Sequence, residues 1–371
     1  MIVATGDAWK TIRLHEVCQP KQWKTIRKSE MTETGFPVYG ANGVIGRYHS
    51  FNHAARTILI GCRGSCGAVN VCEPNSWVTG NAMALDNLDI SVVDFDFLVH
   101  ALRANGLADA ITGTSQPQIT QTSLKRIQLP LPPMEEQRRI AAVLDAADAL
   151  QAKRRLALAK LDSLTQAIFI DMFGDPTWSN RFPRSSIGSV AEIVTGNTPP
   201  RSVAENYGDH IEWLKSDNIS ESGRVTLAAE YLSESGRTRG REAPAGSTLI
   251  VCIAGSPKSI GRVGFLDRPA AFNQQINAVL PGRLLLPEFA FHQLRVGQRL
   301  VQLASTNSMK GMVSKSALAA VEILAPPIEV QSVFVNSIKG IRRVQDVARE
   351  SLRATDALFA SLQQRAFRGE L

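Results

Sequence analysis

Apolar positions along this chain alternate between two regimes, and the alternation occurs twice. Short apolar runs of strand length, broken by Gly, Pro, Asn and Ser, fill roughly residues 12–133 and again 184–327. After each block the spacing changes to steps of three and four. The first stepped segment follows Pro132-Pro133 and places Ile140, Leu144, Ala147, Leu150, Leu158, Leu161, Leu164 and Ile168 on one face, with a gap at Arg154. The second follows Pro326-Pro327 with Phe334, Ile338, Ile341, Val344, Ala348, Leu352, Leu358 and Leu362. Near-heptad spacing of this kind predicts amphipathic helices with a coiled-coil seam. Glu135-Glu136 and Glu329 fall in the first turns, where the helix dipole favours acids. Phe173-Gly174-Asp175-Pro176 stops the first helix, and the second runs to Phe367-Arg368-Gly369. Each spans about 35 residues, roughly 50 Å. A lone exposed helix with such a seam is not stable. The two are therefore expected to pair, antiparallel if a pseudo-twofold axis relates the halves.

The two halves repeat in detail. Residues 127–137 read IQLPLPPMEEQ and residues 321–331 read VEILAPPIEVQ, which places Gln137 and Gln331 194 positions apart. The same shift aligns Ser115-Gln116-Pro117-Gln118-Ile119-Thr120 with Met309-Lys310-Gly311-Met312-Val313-Ser314, and Leu124 with Leu318. At a slightly different shift, Thr57-Ile58-Leu59-Ile60-Gly61-Cys62-Arg63-Gly64-Ser65 resembles Thr248-Leu249-Ile250-Val251-Cys252-Ile253-Ala254-Gly255-Ser256. Each reads as a buried strand ending in a Gly-Ser turn. The chain is a tandem duplication of α+β class. Its expected parts are a globular unit over 1–133, a long helix over 134–174, a second globular unit over 175–327 and a second long helix over 328–371.

Composition narrows the partners. The chain has 371 residues, 44% of them apolar, and a formal charge of +7 from 41 Lys+Arg against 34 Asp+Glu. A modest positive excess is compatible with a polyanion but does not require one. Arg237-Thr238-Arg239 with Arg241 forms a basic cluster in a Gly/Ser loop. Tyr39, Asn42, Arg47, Tyr48, Arg63, Ser65, Asn81, Ser115, Gln116 and Gln118 supply polar groups to the turns of the first unit. Lys215, Ser216, Asn218, Lys258, Asn273, Gln274, Gln275 and Lys310 do so in the second. Arg and Lys suit phosphates and guanine edges, while Asn and Gln suit adenine edges. A single polar loop residue is ordinarily just solvated. The weight rests on the set recurring at matching places in both units.

Catalytic signatures do not occur in the sequence. It contains no phosphate-binding G-x-x-x-x-G-K-[ST] loop, no G-x-G-x-x-G loop and no acid–base constellation among its six histidines. Asn197-Thr198-Pro199-Pro200 lacks the aromatic of an adenine-methyltransferase motif. Cys62, Cys66 and Cys72, with His49 and His53, lack a C-x-x-C pair, and only Cys252 recurs in the second half. They are read as small apolar residues, with no metal site. No apolar run reaches membrane-spanning length and no signal pattern opens the chain, so a cytoplasmic location with reduced thiols is expected.

Leu129-Pro130-Leu131-Pro132-Pro133-Met134-Glu135-Glu136-Gln137 and Leu324-Ala325-Pro326-Pro327-Ile328-Glu329-Val330-Gln331 carry a family resemblance. So do Val38-Tyr39-Gly40-Ala41-Asn42-Gly43-Val44-Ile45-Gly46 and Thr195-Gly196-Asn197-Thr198-Pro199. In this ordered, doubled arrangement the chain resembles the specificity (S) subunit of Type I restriction–modification systems over nearly its whole length. The resemblance implies two target-recognition domains, each reading one half of a bipartite, asymmetric double-stranded DNA target, with the helices setting the gap. It implies two methyltransferase subunits that use S-adenosylmethionine, and motor–nuclease subunits that use ATP and Mg2+. No cofactor and no catalysis are implied for this chain. The second helix departs from the pattern: Val330 stands where the first has Glu136, and the Arg138-Arg139-Ile140 continuation is missing. Two other classes fit parts of the pattern. A stand-alone DNA-modifying enzyme would cut or methylate DNA as purified chain, and a coiled-coil adaptor would leave its complex without DNA binding.

Overall fold

The computed structural model describes residues 9–113, 116–306 and 311–371. The chain divides into two compact units, Met1–Arg155 with Glu350–Leu371, and Leu156–Arg349. Each long helix is thus shared between units, although its ends follow the Pro-Pro and Gly signals.

In the first unit, strand Lys10–Arg13 pairs antiparallel with Gln128–Leu131, and the turn Leu14–Val17 follows it. A four-stranded antiparallel sheet runs in the order Gln19–Gln22, Ala82–Asp86, Thr57–Gly61, Val69–Cys72. Thr57–Gly61 lies inside this sheet and is buried along almost its whole length. That is why it reads as a continuous apolar run instead of an alternating one. A second sheet holds Gly43–Tyr48, Phe36–Gly40 and Trp77–Val78, the last two parallel. Helix Phe95–Asn105 is capped by Asp94, whose carboxylate accepts from the Asp96 and Phe97 N–H groups, and it buries Phe97, Leu98 and Leu102.

The second unit repeats this frame. Arg184–Ser186 pairs with Glu322–Leu324, and the turn Ile187–Val190 follows. The four-stranded sheet runs Ile193–Thr195, Ile276–Val279, Thr248–Val251, Val263–Phe265. Helix Pro287–Val296 buries Phe289, Phe291 and Leu294. The second sheet is larger, with five strands in the order Tyr207–Gly208, Tyr231–Leu232, Ile211–Leu214, Ala270–Phe272, Glu242–Ala243. Small bonds repeat as well. Ile119 N–H donates to the Cys62 carbonyl at 3.0 Å, and Val313 N–H to the Cys252 carbonyl at 2.9 Å. Thr120 and Ser314 then cap the short helices Gln121–Leu124 and Lys315–Ala320.

The long helices are Met134–Phe173 and Ile328–Ala366, 40 and 39 residues. Both begin directly after their Pro-Pro pairs, within the expected spans 134–174 and 328–371. In the first unit they run antiparallel: Arg139 donates to the Leu371 carbonyl at 2.6 Å, and Arg154 donates to the Ser351 carbonyl and the Thr355 hydroxyl. The seam corrects the sequence expectation. Leu150, Leu164, Val344 and Leu358 are exposed, whereas Gln151, Thr165 and Gln345 next to the first three, and Thr355 three positions before Leu358, are buried. Steps of three and four persist through Gln137, Ile140, Leu144, Ala147, Gln151, Arg154, Leu158, Leu161 and Thr165, all buried or half-buried. The heptad is strict, but its middle positions are polar. The gap at Arg154 is a seam residue that bonds across to the other helix.

Gln137 and Gln331 explain the repeated Pro-Pro-x-Glu-x-Gln segment. Gln137 is buried; its Oε1 accepts from Asp94 N–H at 2.7 Å, and its Nε2 donates to the carbonyls of Pro132 at 2.9 Å and Val92 at 3.2 Å. Gln331 does the same with Leu286 N–H at 2.9 Å and the carbonyls of Pro326 at 2.9 Å and Leu284 at 3.0 Å. Asp94 and Leu286 are the cap residues of Phe95–Asn105 and Pro287–Val296. One amide therefore joins the long helix, its proline turn and the helix of the globular unit. The changed residue at 330 leaves this clamp intact. What it removes is the Glu136–Arg139 pair, bonded at 2.7 and 2.8 Å in the first helix alone.

Candidate nucleic-acid interface

The polar loops gather at one end of the buried central strand in each unit. In the first, Cys62 N–H donates to the Asn81 carbonyl at 2.9 Å, and the Cys62 carbonyl accepts from Ile119. This brings Arg63, Ser65, Asn81 and Gln118 to one place, all exposed. Gly61 lets the loops close in: a Cβ there would stand 2.3 Å from the Ser65 carbonyl oxygen and 2.8 Å from that of Ala41. Asn42, at the tip of the adjoining turn, joins the same end, and Gln116 is exposed nearby in sequence. Arg47 and Tyr48 lie at the far end of their strand. Arg47 donates to the Gly35 carbonyl at 2.7 Å, and the Tyr48 ring packs edge-on against Trp77 at 5.1 Å. Ser115 lies outside the described residues, as does Lys310.

In the second unit Cys252 N–H donates to the Gln275 carbonyl at 2.8 Å. Gln275 Oε1 accepts from the Ser216 hydroxyl and from Asn273 Nδ2, both at 3.0 Å. Gln274 is exposed, and its Oε1 accepts from the Thr198 hydroxyl at 2.5 Å. Asn218 caps its own turn, accepting from Lys215 N–H at 2.8 Å and donating to the Leu227 carbonyl at 3.0 Å. Lys258 is exposed on the turn Pro257–Ser259.

Three expectations change. Tyr39 is buried: its hydroxyl accepts from Glu73 N–H at 3.3 Å, and burial pushes its pKa up. Asn273 is buried too, spent on Gln275 and on the Leu214 carbonyl. Both support the loops from beneath, because their polar atoms are consumed internally. The Arg237 cluster is not a Gly/Ser loop but a short helix, Glu234–Arg239, capped by the Ser233 hydroxyl. Arg237 grips Glu242 through two bonds, 2.9 and 3.1 Å, while Arg239 reaches Asn206 at 3.1 Å and Arg241 is exposed.

Sequence reasoning missed the cation–aromatic group beside Lys215. Lys215 and Arg201 both bind Glu230, whose carboxyl is held below the usual range first by the Lys215 bond and then by Arg201. The Arg201 guanidinium lies 4.8 Å from the Tyr207 ring centre and 5.1 Å from that of Trp213. These residues are scattered between 201 and 230, with no local spacing to link them. The cysteines are apolar in character. Cys62 and Cys252 are buried at equivalent strand ends, and burial pushes each thiol up to about 11. Among the described residues no group of three or more His, Cys, Asp or Glu is placed to hold a metal, and no helix is long and apolar enough to cross a membrane.

Comparison with known proteins gives the frame a family. The family model of the Type I restriction modification DNA specificity domain matches residues 6–160 and again 182–344. The Type I restriction enzyme HindI specificity subunit of Haemophilus influenzae is 26% identical over 207 residues, 53% of this chain and 44% of that protein. The putative Type I restriction enzyme MjaX specificity subunit of Methanocaldococcus jannaschii is 21% identical over 252 residues, 64% of this chain and 57% of that one. The matched region thus spans about half the length of these relatives. The crystal structure of a Type I restriction–modification S subunit from M. genitalium shares the fold, with a TM-score of 0.61 at 16% identity, covering 98% of this chain and 99% of that one. Two matched domains, each followed by a glutamine-clamped long helix, lead to one conclusion: the chain belongs to the Type I restriction–modification DNA specificity family, with its specificity domain in tandem.

Proposed function

We propose that this chain is the sequence-specificity subunit of a Type I restriction–modification complex. Each unit reads one half of a bipartite, asymmetric double-stranded DNA target, and the long helices set the gap between halves. The observation that supports this best is the doubled frame with undoubled surfaces. The clamp, the central strand and its capping turn repeat, whereas the exposed side chains around Cys62 and Cys252 differ. Unlike surfaces on a common frame suit unlike half-sites.

The chemistry belongs to partners. Two methyltransferase subunits dock on the chain and use S-adenosylmethionine, and motor–nuclease subunits use ATP and Mg2+, all in the cytoplasm. This chain supplies sequence choice and no reacting group. Arg237, Arg239 and Arg241 contact phosphate, so charge reversal there weakens binding to all sequences alike and lowers the salt slope by about one per lost contact. The deciding experiment co-expresses the chain with its methyltransferase partner and maps methylated adenines genome-wide by single-molecule sequencing. A split motif with a fixed gap, lost when the chain is omitted, is expected. Methylation that does not depend on the chain would end the reading.

A further inference from the structure

We propose that the segment Asn197–Arg201 is the base-reading element of the second unit, with Arg201 as its specificity-determining side chain; this rests on the DNA-specificity reading above. The segment is exposed at Thr198, Pro200 and Arg201 yet rigidly held. Asn197 N–H donates to the Phe272 carbonyl at 3.0 Å and its side chain to the Arg239 carbonyl at 2.7 Å. Its own carbonyl accepts from the Trp213 indole at 3.1 Å. Further along, the Pro199 carbonyl accepts from the Tyr207 hydroxyl at 2.7 Å and that of Pro200 from Asn206 at 3.0 Å. Gly196 permits this seating, since a Cβ there would stand 2.2 Å from the Asn273 carbonyl oxygen. Two consecutive prolines further restrict the backbone.

Arg201 is preorganised on this support. Its guanidinium lies by the Tyr207 and Trp213 rings and makes one bond, 2.7 Å, to Glu230. The rest of its five-donor fork has no partner among the described residues. A planar, stacked, tethered guanidinium loses little freedom on binding and matches the O6/N7 edge of guanine bidentately. Glu230 holds two cations with one carboxylate, so it aims Arg201 without cancelling the local positive charge. Arg237 differs, because Glu242 already occupies its fork.

An independent observation comes from the first unit. The segment that follows the equivalent edge strand is Trp23–Lys28. There the Trp77 indole donates to the Lys24 carbonyl at 3.1 Å, and Thr25 Oγ1 accepts from Gly80 N–H at 3.1 Å. Arg27 and Lys28 are exposed at its end. Trp77 and Trp213 stand on different members of the parallel strand pair, Trp77–Val78 beside Phe36–Gly40 and Ile211–Leu214 beside Ala270–Phe272. Two indoles thus reach the same segment from different strands. General packing does not ask for this; a need to hold the segment still does.

The test assembles the full chain with its methyltransferase partner and compares wild type, R201A, R201K and R237A by methylation mapping and by binding to a randomised duplex library. For R201A the expected result is about tenfold or greater loss of discrimination at a base pair of one half-site, with the other half-site unchanged. R201K retains the charge and loses the fork, so it shows the same loss and serves if R201A fails to assemble. R237A weakens binding to all duplexes with the motif unchanged. An unaltered motif in both Arg201 variants, or a loss uniform over all sequences, overturns the proposal. Wild type without a split motif would instead sink the specificity reading itself.

Discussion

The two units close the same helix onto the long helices in different ways. Phe97, His100 and Arg103 in the first correspond to Phe289, His292 and Arg295 in the second. In the first unit the closure mixes apolar and polar contacts: Phe97 packs against Phe367 at 5.7 Å, His100 Nε2 meets Asp145 at 2.8 Å, and Arg103 lies 3.8 Å from Asp148. In the second it is aromatic. Phe169, Phe173, Phe289 and Phe334 stack with centroids 4.9–6.4 Å apart, and Arg295 grips Asp162 at the margin. The two histidines therefore have different neighbours. His100 faces a carboxylate, whereas burial, with Arg295 and Arg342 beside it, pushes the His292 imidazole down to about 3. A duplicated motif preserves position, and its chemistry follows whatever packs against it.

The largest test of this contrast is Phe334→Ala. It opens a cavity in the ring stack and should cost about 3–5 kcal/mol, read by denaturant unfolding. Ile140→Ala, its counterpart in the first helix, should cost less, and equal losses would dissolve the distinction. Next come the clamps. Gln137→Leu and Gln331→Leu each orphan one N–H and two carbonyls, for a loss of roughly 3 kcal/mol. Because the clamp is common to both units the two losses should agree within about 1 kcal/mol.

A third test uses acid. Unfolded, His292 takes up a proton near pH 6.5; folded, it refuses one until about pH 3. Protonation therefore favours unfolding between those values and has no effect above them. At pH 5 the wild type should have lost roughly 2 kcal/mol through this group. His292→Asn should flatten that part of the stability profile, and an unchanged profile would remove His292 from the account. The smallest effect belongs to the exposed pair Arg155–Asp356, 3.1 Å apart. Asp356→Asn should change stability by no more than about 0.5 kcal/mol, and less at high salt.

Much of this architecture is visible in residue order. Pro-Pro followed by acids and a three–four spacing marks both long helices, and TILIG and TLIV read as buried strands because apolar runs of that length need two covered faces. The middle of the seam was misread at Leu150, Leu164, Val344 and Leu358, because a hydrophobicity pattern prefers a leucine to an adjacent glutamine or threonine. Only a partner helix reveals that Arg154 has an acceptor there. Among candidate contacts, exposed turn residues such as Asn42, Arg63, Ser65 and Gln274 were recognisable from turn chemistry. Tyr39 and Asn273 were misplaced because alternation does not tell which polar group is spent internally.

Local signals and the duplication alone settle that the chain has two α+β units, two long helices and a repeated glutamine. These depend on spacing, capping and turn preference, which act over a few residues. Tertiary structure decides what the repeated glutamine holds, which arginines keep an open fork, and that His292 refuses a proton. Each of those depends on atoms brought together from distant positions: Gln137 with Asp94, Arg201 with Glu230, His292 with Arg342. Hydrogen bonding and burial are properties of that assembled neighbourhood, and no window of sequence contains it.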